Sequence, residues 1–170
     1  MKTDTLTACA KLLIENKLTI AFAESATAGR IAADFSLQPD AGKFLKGGIV
    51  CYDACLKSDL LKVPQELIDT HTPESMEVTQ AIASGLAGLI PADIHLGVTG
   101  LPAPGGSETE EKPVGTMFIC GMLGERSIFS DRAVFEGSPE EIVQQTVAKV
   151  AVLIIRFLSA KAYTNNLDQL

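Results

Sequence analysis

Apolar residues recur along the chain in two periods, and the switches between them predict the order of elements. Leu6, Cys9, Ala10, Leu13 and Ile14 form one stripe of a helix that Thr3 or Asp4 can cap. The short apolar run Ile20 to Ala23 then reads as a buried strand. Small and hydroxyl residues, Ser25 to Gly29, turn the chain into a helix from about Thr27 to Ser36, and Pro39 to Gly42 break it. Gly47 to Tyr52 predicts a second strand, followed by a short helix from Cys55 to Leu61. Thr72-Pro73-Glu74-Ser75 is a helix-start signal, and Val78, Ala81, Ile82, Gly85, Leu86 and Leu89 give the next helix its apolar face before Pro91. Ile94 to Val98 is a third strand. The loop Leu101 to Pro113 follows, then two strands, Gly115 to Gly121 and Ser127 to Phe135, joined as a hairpin through Leu123 to Arg126. Ser138-Pro139-Glu140-Glu141 is a capping box for a last helix striped by Val143, Val147, Val150, Ile154 and Phe157 or Leu158. The polar tail from Tyr163 is expected to fray.

Strands alternating with helices and closed by a hairpin predict one α/β domain over residues 1–170. The expected architecture is a three-layer α/β/α sandwich whose five-stranded sheet is mixed but mostly parallel. Composition narrows the function. A net charge of −7 over 170 residues argues against a nucleic-acid or anionic-membrane surface. Val150 to Ile155, bounded by Lys149 and Arg156, is too short a run to span a bilayer, and Lys2, Asp4, Lys11 and Glu15 interrupt any leader-like segment. Cys9, Cys51, Cys55 and Cys120 show no paired framework, which suits a reduced, cytoplasmic protein. With only His71 and His95 available, Cys51 and Cys55 complete no recognisable metal-ligand spacing. No G-x-G-x-x-G, G-x-x-x-x-G-K, G-x-S-x-G or S-x-x-K pattern is present, so no cofactor or metal is expected.

In open α/β sheets ligands bind beyond the carboxyl ends of the strands, and three such ends carry Glu24-Ser25, Tyr52 and Thr99-Gly100. Ser25 stands at a strand-to-helix turn, where unpaired helix-start N–H groups make an anion or oxyanion site. It is the candidate nucleophile. Ser25 or Thr27 suits a helix cap equally well, and spacing does not separate the two readings. A serine needs a base. His71 lies in a polar connection and His95 alternates within a buried strand, which leaves Lys57, five residues beyond Tyr52, as the best-placed candidate if desolvation lowers its pKa. By residue type alone Lys57 is more often a solvated helix residue, and Tyr52 a core-edge aromatic. Gly105 and Gly106 give the long loop unusual dihedral freedom and Lys112 gives it positive charge, but the loop reads equally well as mobile and acidic, with Glu108, Glu110 and Glu111.

These stretches resemble the CinA C-terminal domain family, the nicotinamide-nucleotide amidohydrolases. Ala23-Glu24-Ser25-Ala26-Thr27-Ala28-Gly29 is similar to the family's A-E-S-x-T-G-G. Gly47 to Tyr52 with Lys57 and Leu60 to Pro64 resembles G-G-V-V-x-Y-x-x-x-x-K-x-x-L-L-G-V-P, and Val98 to Gly106 with Glu111 to Gly115 resembles V-T-G-x-A-G-P-G-G followed by E-K-P-V-G. The match is collinear over nearly the whole chain. The resemblance implies hydrolysis of nicotinamide mononucleotide to nicotinate mononucleotide and ammonia without metal. It also implies catalysis by Ser25 and Lys57 assisted by Tyr52, a substrate surface of Glu24, Thr27, Gly29, Thr99, Gly100, Gly105, Gly106 and Lys112, and a homo-oligomer, at least a dimer. The chain departs from the pattern at Ala28, at Pro102-Ala103, at Asp53-Ala54 in place of an asparagine, and at Pro139 and Val143, where the family has arginines. Phosphate is thereby left to helix-start N–H groups and Lys112. A non-catalytic or differently specific paralogue, binding a nucleotide or another protein, is the alternative. Retention of Ser25, Tyr52 and Lys57 favours the enzyme.

Overall fold

The computed structural model describes the backbone of residues 2–167 and the side chains of residues 5–160. In chain order the elements are α1 (Lys2–Glu15), β1 (Ile20–Glu24), α2 (Arg30–Ser36), a 3-10 turn (Ala41–Lys43), β2 (Leu45–Val50), α3 (Ala54–Asp59) and α4 (Gln65–His71). There follow α5 (Met76–Leu86), β3 (Ile94–Gly100), β4 (Thr116–Leu123), β5 (Arg126–Val134) and α6 (Pro139–Leu167). The sheet order is β2-β1-β3-β4-β5. β1 pairs parallel with β2 and β3, whereas β3–β4 and β4–β5 are antiparallel. Only β4 opposes the common direction, so the sheet is mixed and mostly parallel by direction, although its pairings divide evenly.

Every residue of β1 is buried, as is every residue of β3. The alternating side chains of these central strands serve the two faces. Ile20, Phe22, Ile94, Leu96 and Val98 join Leu13 of α1, Phe35 of α2 and Val150 and Ile154 of α6 in one core. Ala21 and Ala23 face the other way, with Leu61, Ile68 of α4 and Val78, Ile82 and Leu86 of α5. Small residues on that face let α5 lie close. Close approach also governs Gly85, where a Cβ would stand 1.9 Å from the Leu61 carbonyl oxygen.

Several element boundaries differ from the sequence expectation, each for a local reason. The helix expected from Thr27 begins at Arg30, because Ala28 (φ 47) and Gly29 (φ 91) adopt left-handed backbone that cannot continue a helix. The second strand starts earlier and stops at Val50, leaving Cys51 and Tyr52 in the connection to α3. α4, not read from the sequence, starts after Pro64 and buries little beyond Ile68. α5 ends at Leu86 and Leu89 is exposed. On α6 the buried stripe uses Ile142, with Val143 half-buried. α1 begins at Lys2, ahead of its expected caps, and the side chains of Thr3 and Asp4, like the polar tail from Tyr163, lie outside the described side chains. Over Pro139–Ala160 helix α6 is long and apolar enough to cross a membrane by length and composition, unlike the short run within it. Here its apolar residues pack into the core beneath the sheet.

Candidate active site

Because β1, β2 and β3 are parallel, their carboxyl ends meet at one edge, with Glu24 opposite Val50 on one side and Val98 on the other. The next residue is Ser25, whose N–H donates to the Val98 carbonyl (2.9 Å), so the serine is fixed to the end of β3 as well as to its own strand. Lys57 comes from α3. Asp53 caps that helix through the Cys55 N–H (2.9 Å), which holds the Asp53 carboxyl below the usual carboxylate range. Capping sets the register that sends Lys57 inward, where it is 1% exposed.

The surroundings of the Lys57 amine define its chemistry. Nζ stands 3.0 Å from Ser25 Oγ, 2.9 Å from the Cys51 carbonyl oxygen and 3.5 Å from that of Tyr52. Carbonyl oxygens only accept, so the two of them orient two N–H bonds of the amine, the Tyr52 contact weakly. The remaining position faces Ser25. When the amine is neutral that position is its lone pair, aimed at the serine hydroxyl. Burial pushes the Lys57 pKa down, and the charges around it, including the Glu74 and Asp53 carboxylates, oppose the shift. Burial pushes the Cys51 thiol up. Above the pair lies a cavity of about 230 Å³ lined by Ser25, Ala26, Tyr52, Glu74, Gly100 and the 101–106 stretch of the long loop. A larger cavity, about 530 Å³, lies between α1, α2 and α6 around Leu6, Arg30 and Gln144, and has no comparable nucleophile and base.

The profile of the CinA C-terminal domain family matches residues 2–158. The chain belongs to that family. A CinA-like protein of Mycobacterium marinum is 35% identical to this CinA domain over 150 residues, covering 88% of the chain and 35% of the relative. A CinA-like protein of Endomicrobium trichonymphae is 36% identical over 159 residues, covering 93% and 37%. The chain thus spans only about a third of the length of these curated relatives. Among solved structures, a competence-damaged protein (CinA) superfamily protein from Klebsiella pneumoniae superposes with a TM-score of 0.86 at 28% identity, covering 94% of this chain and 99% of that one.

Within the CinA domain the expected site residues divide into those at the cavity and those that build its walls. Ser25, Gly100, Gly105 and Gly106 line the cavity, and Lys57 is reached through Ser25. Tyr52 also lines it, but the residue is 65% exposed and its contact with Lys57 is through the main-chain carbonyl. Glu24 belongs to the scaffold. Its buried carboxylate accepts the Thr27 hydroxyl (2.7 Å) and the N–H groups of Gly29 (3.0 Å), Ile31 (3.0 Å) and Ala32 (2.8 Å). Thr27 and Gly29 are therefore clasped inward, and the helix-start donors expected to meet an anion are occupied by the protein's own carboxylate. Within that turn the N–H groups of Ala26 and Thr27 are not used by the turn's own hydrogen bonds.

Thr99 is fully buried and 2.8 Å from the Thr79 hydroxyl. The Thr79 proton goes to the Ser75 carbonyl (2.5 Å), so Thr99 donates to Thr79, tying the end of β3 to the start of α5 rather than to a ligand. Lys112 does not line the cavity. Its amine donates to Thr72 Oγ1 (2.7 Å), Ser107 Oγ (2.8 Å) and the Glu74 carbonyl (3.0 Å), which uses all three of its protons and pins the loop to the α4–α5 connection. The Gly105 N–H likewise turns to Glu108 (2.8 Å), holding that carboxyl below its usual range. His95 lies at the far end of its strand, opposite Ala21, with Nε2 2.8 Å from the Ile90 carbonyl, and His71 is near Glu77 (3.6 Å). Sequence reasoning missed the Cys51 carbonyl, whose role no side-chain pattern reveals, and Glu74, hidden within a helix-start signal.

Proposed function

We propose that this CinA domain is an amidohydrolase that deamidates nicotinamide mononucleotide, or a close N-ribosyl nicotinamide, through Ser25 and Lys57. The observation that carries the reading is the 3.0 Å contact between Ser25 Oγ and a buried lysine amine whose other contacts at the site are carbonyl oxygens. In this mechanism neutral Lys57 takes the Ser25 proton as Oγ bonds to the carboxamide carbon. The carbonyl π pair moves onto oxygen, and the N–H of Ala26, which belongs to a residue of the cavity wall and is engaged by no hydrogen bond of the turn, donates to that oxygen. The C–N bond then breaks, the leaving nitrogen takes the proton from Lys57, and ammonia departs. Water attacks the Ser25 ester by the same route in reverse, releasing the carboxylic acid and restoring the hydroxyl. Histidine is not needed, because burial of Lys57 brings its proton affinity down toward the range a general base requires.

Glu24, Thr27, Gly29 and Thr99 serve this chemistry by holding the strand ends in place, and Tyr52 by forming one side of the substrate cavity. The test is ammonia release from nicotinamide mononucleotide by purified protein without added metal. Activity is expected in the native protein and absent from a folded Ser25→Ala variant. Equal ammonia release by both proteins would reject the assignment of Ser25.

A further inference from the structure

The cavity carries an anionic group for which amide hydrolysis has no use. Glu74 lines it, and the charge of its carboxylate reaches Lys57 behind Ser25. Glu74 Oε2 accepts the Ser107 hydroxyl (2.5 Å), and Oε1 has no hydrogen bond among the described residues. No arginine lines the cavity. Of the two nearby lysines, Lys112 gives its protons to Thr72, Ser107 and the Glu74 carbonyl, and Lys57 is turned toward Ser25 and two main-chain carbonyls. No cation lines the cavity beside Glu74, although the Lys112 ammonium lies within its electrostatic reach. Tyr52, a largely exposed residue, lines the same space.

A half-free carboxylate and an available aromatic ring in one cavity are the elements of a site for an organic cation. We propose that Glu74 and Tyr52 read the fixed positive charge of an N-substituted pyridinium ring, so that the site takes cationic aromatic carboxamides in preference to neutral ones of the same shape. The inference rests on the reading that an aromatic carboxamide enters this cavity. Shape alone cannot make the distinction, because a ring carbon in place of the quaternary nitrogen changes little volume. Charge can. A cation near Glu74 gains Coulomb energy in a cavity partly shielded from water, and an aromatic face adds the attraction of its quadrupole. Binding also bears on the base. In the empty cavity Glu74 favours the protonated form of Lys57, and a bound pyridinium cancels that field, favouring the neutral amine that accepts the Ser25 proton.

The test compares two ligands by calorimetry on the Ser25→Ala protein: 1-methylnicotinamide and its neutral isostere 3-methylbenzamide. The cation is expected to bind about 10-fold more tightly, the ratio that ~1.4 kcal/mol of charge recognition produces. Glu74→Gln in the same background keeps an acceptor for Ser107 and is expected to erase most of that ratio. Tyr52→Ala is expected to reduce it while Tyr52→Phe keeps it. Glu110→Gln, which removes an equal charge from an exposed part of the same loop, leaves it unchanged. Equal affinities in the parent, an undiminished preference in Glu74→Gln, or no binding of the cation at millimolar concentration overturns the inference. Turnover plays no part in the measurement. A protein that prefers the cation yet releases no ammonia from any pyridinium carboxamide would retain the inference and reject the proposed reaction.

Discussion

Replacing Glu24 by glutamine changes one atom, and the structure sets the cost. Oε2 accepts three donors, from Thr27, Gly29 and Ile31, and Oε1 accepts the Ala32 N–H. An amide oxygen in the Oε2 position keeps the first three, but the amide nitrogen then meets the Ala32 N–H donor to donor at 2.8 Å. The other orientation sets the Gly29 and Ile31 N–H donors against that nitrogen. The better orientation loses one bond to a charged group, about 1.5–3 kcal/mol, and weakens three others, so Glu24→Gln is expected to cost about 2–4 kcal/mol. Glu24→Ala leaves all four donors without a protein partner, and with water and backbone relaxation recovering part of the loss the expectation is about 4–6 kcal/mol. Urea unfolding followed by circular dichroism measures both, and an unchanged slope confirms that the native state is still compared with the same unfolded state. A cost below ~1 kcal/mol for Glu24→Gln, or equal costs for the two variants, would refute the claim that this carboxylate holds the turn together.

Lys57→Met should abolish amide hydrolysis and remove a pH dependence of stability. Burial lowers the folded-state pKa of Lys57 below its ordinary 10.5, so below the folded value the buried ammonium is a full cost. Between the folded value and 10.5 the unfolded chain binds the extra proton, so wild-type stability gains relative to Lys57→Met as pH rises through that window and levels off above it. A stability difference between the two proteins that stays constant from neutral to alkaline pH would contradict the assignment. Gly85→Ala should destabilise by more than ~2 kcal/mol although alanine is the better helix former, because the new Cβ meets a carbonyl oxygen of the main chain rather than a flexible side chain; a stabilised variant in urea unfolding would show that α5 can move away. If the proposed reaction holds, nicotinamide mononucleotide should be preferred over its unphosphorylated riboside by less than the 10- to 100-fold that roughly one charged partner provides. Lys112 and the helix-start N–H groups are occupied by the protein's own acceptors; kcat/KM values favouring the nucleotide beyond that range would refute this account of the site.

The architecture was legible because the central strands are buried on both faces and the helices bury one stripe each, which leaves strong periods in the chain. α4 escaped notice because seven residues with little apolar content leave no period, and the only cue was Pro64 ahead of Gln65 and Glu66. The start of α2 was misplaced because nothing in the name of an alanine announces the left-handed backbone of Ala28. At the site, position along the chain pointed to Ser25 and Lys57 as neighbours at one sheet edge, while residue type alone suited the first equally well to a helix cap and favoured a solvated surface for the second. The roles of Glu24 and Lys112 were not legible, since whether a charged group faces a ligand or its own chain depends on partners brought close by folding. Glu24 is bonded to residues up to eight positions away, and Lys112 to a hydroxyl forty positions away.

The lysine's two carbonyl contacts bear on how such a site tolerates change over generations. Because Cys51 and Tyr52 orient the amine through main-chain oxygens, the base depends on the path of the backbone there rather than on the chemistry of either side chain, although Cys51 is confined in volume by the core around it. The vulnerability lies in spacing instead. A single residue inserted between Asp53 and Lys57 would rotate the lysine by about 100° around α3 and carry its amine away from both oxygens and from Ser25. For the base itself, insertion or deletion between Cys51 and Lys57 should therefore be tolerated less than substitution that keeps the buried volume at Cys51 and the cap at Asp53.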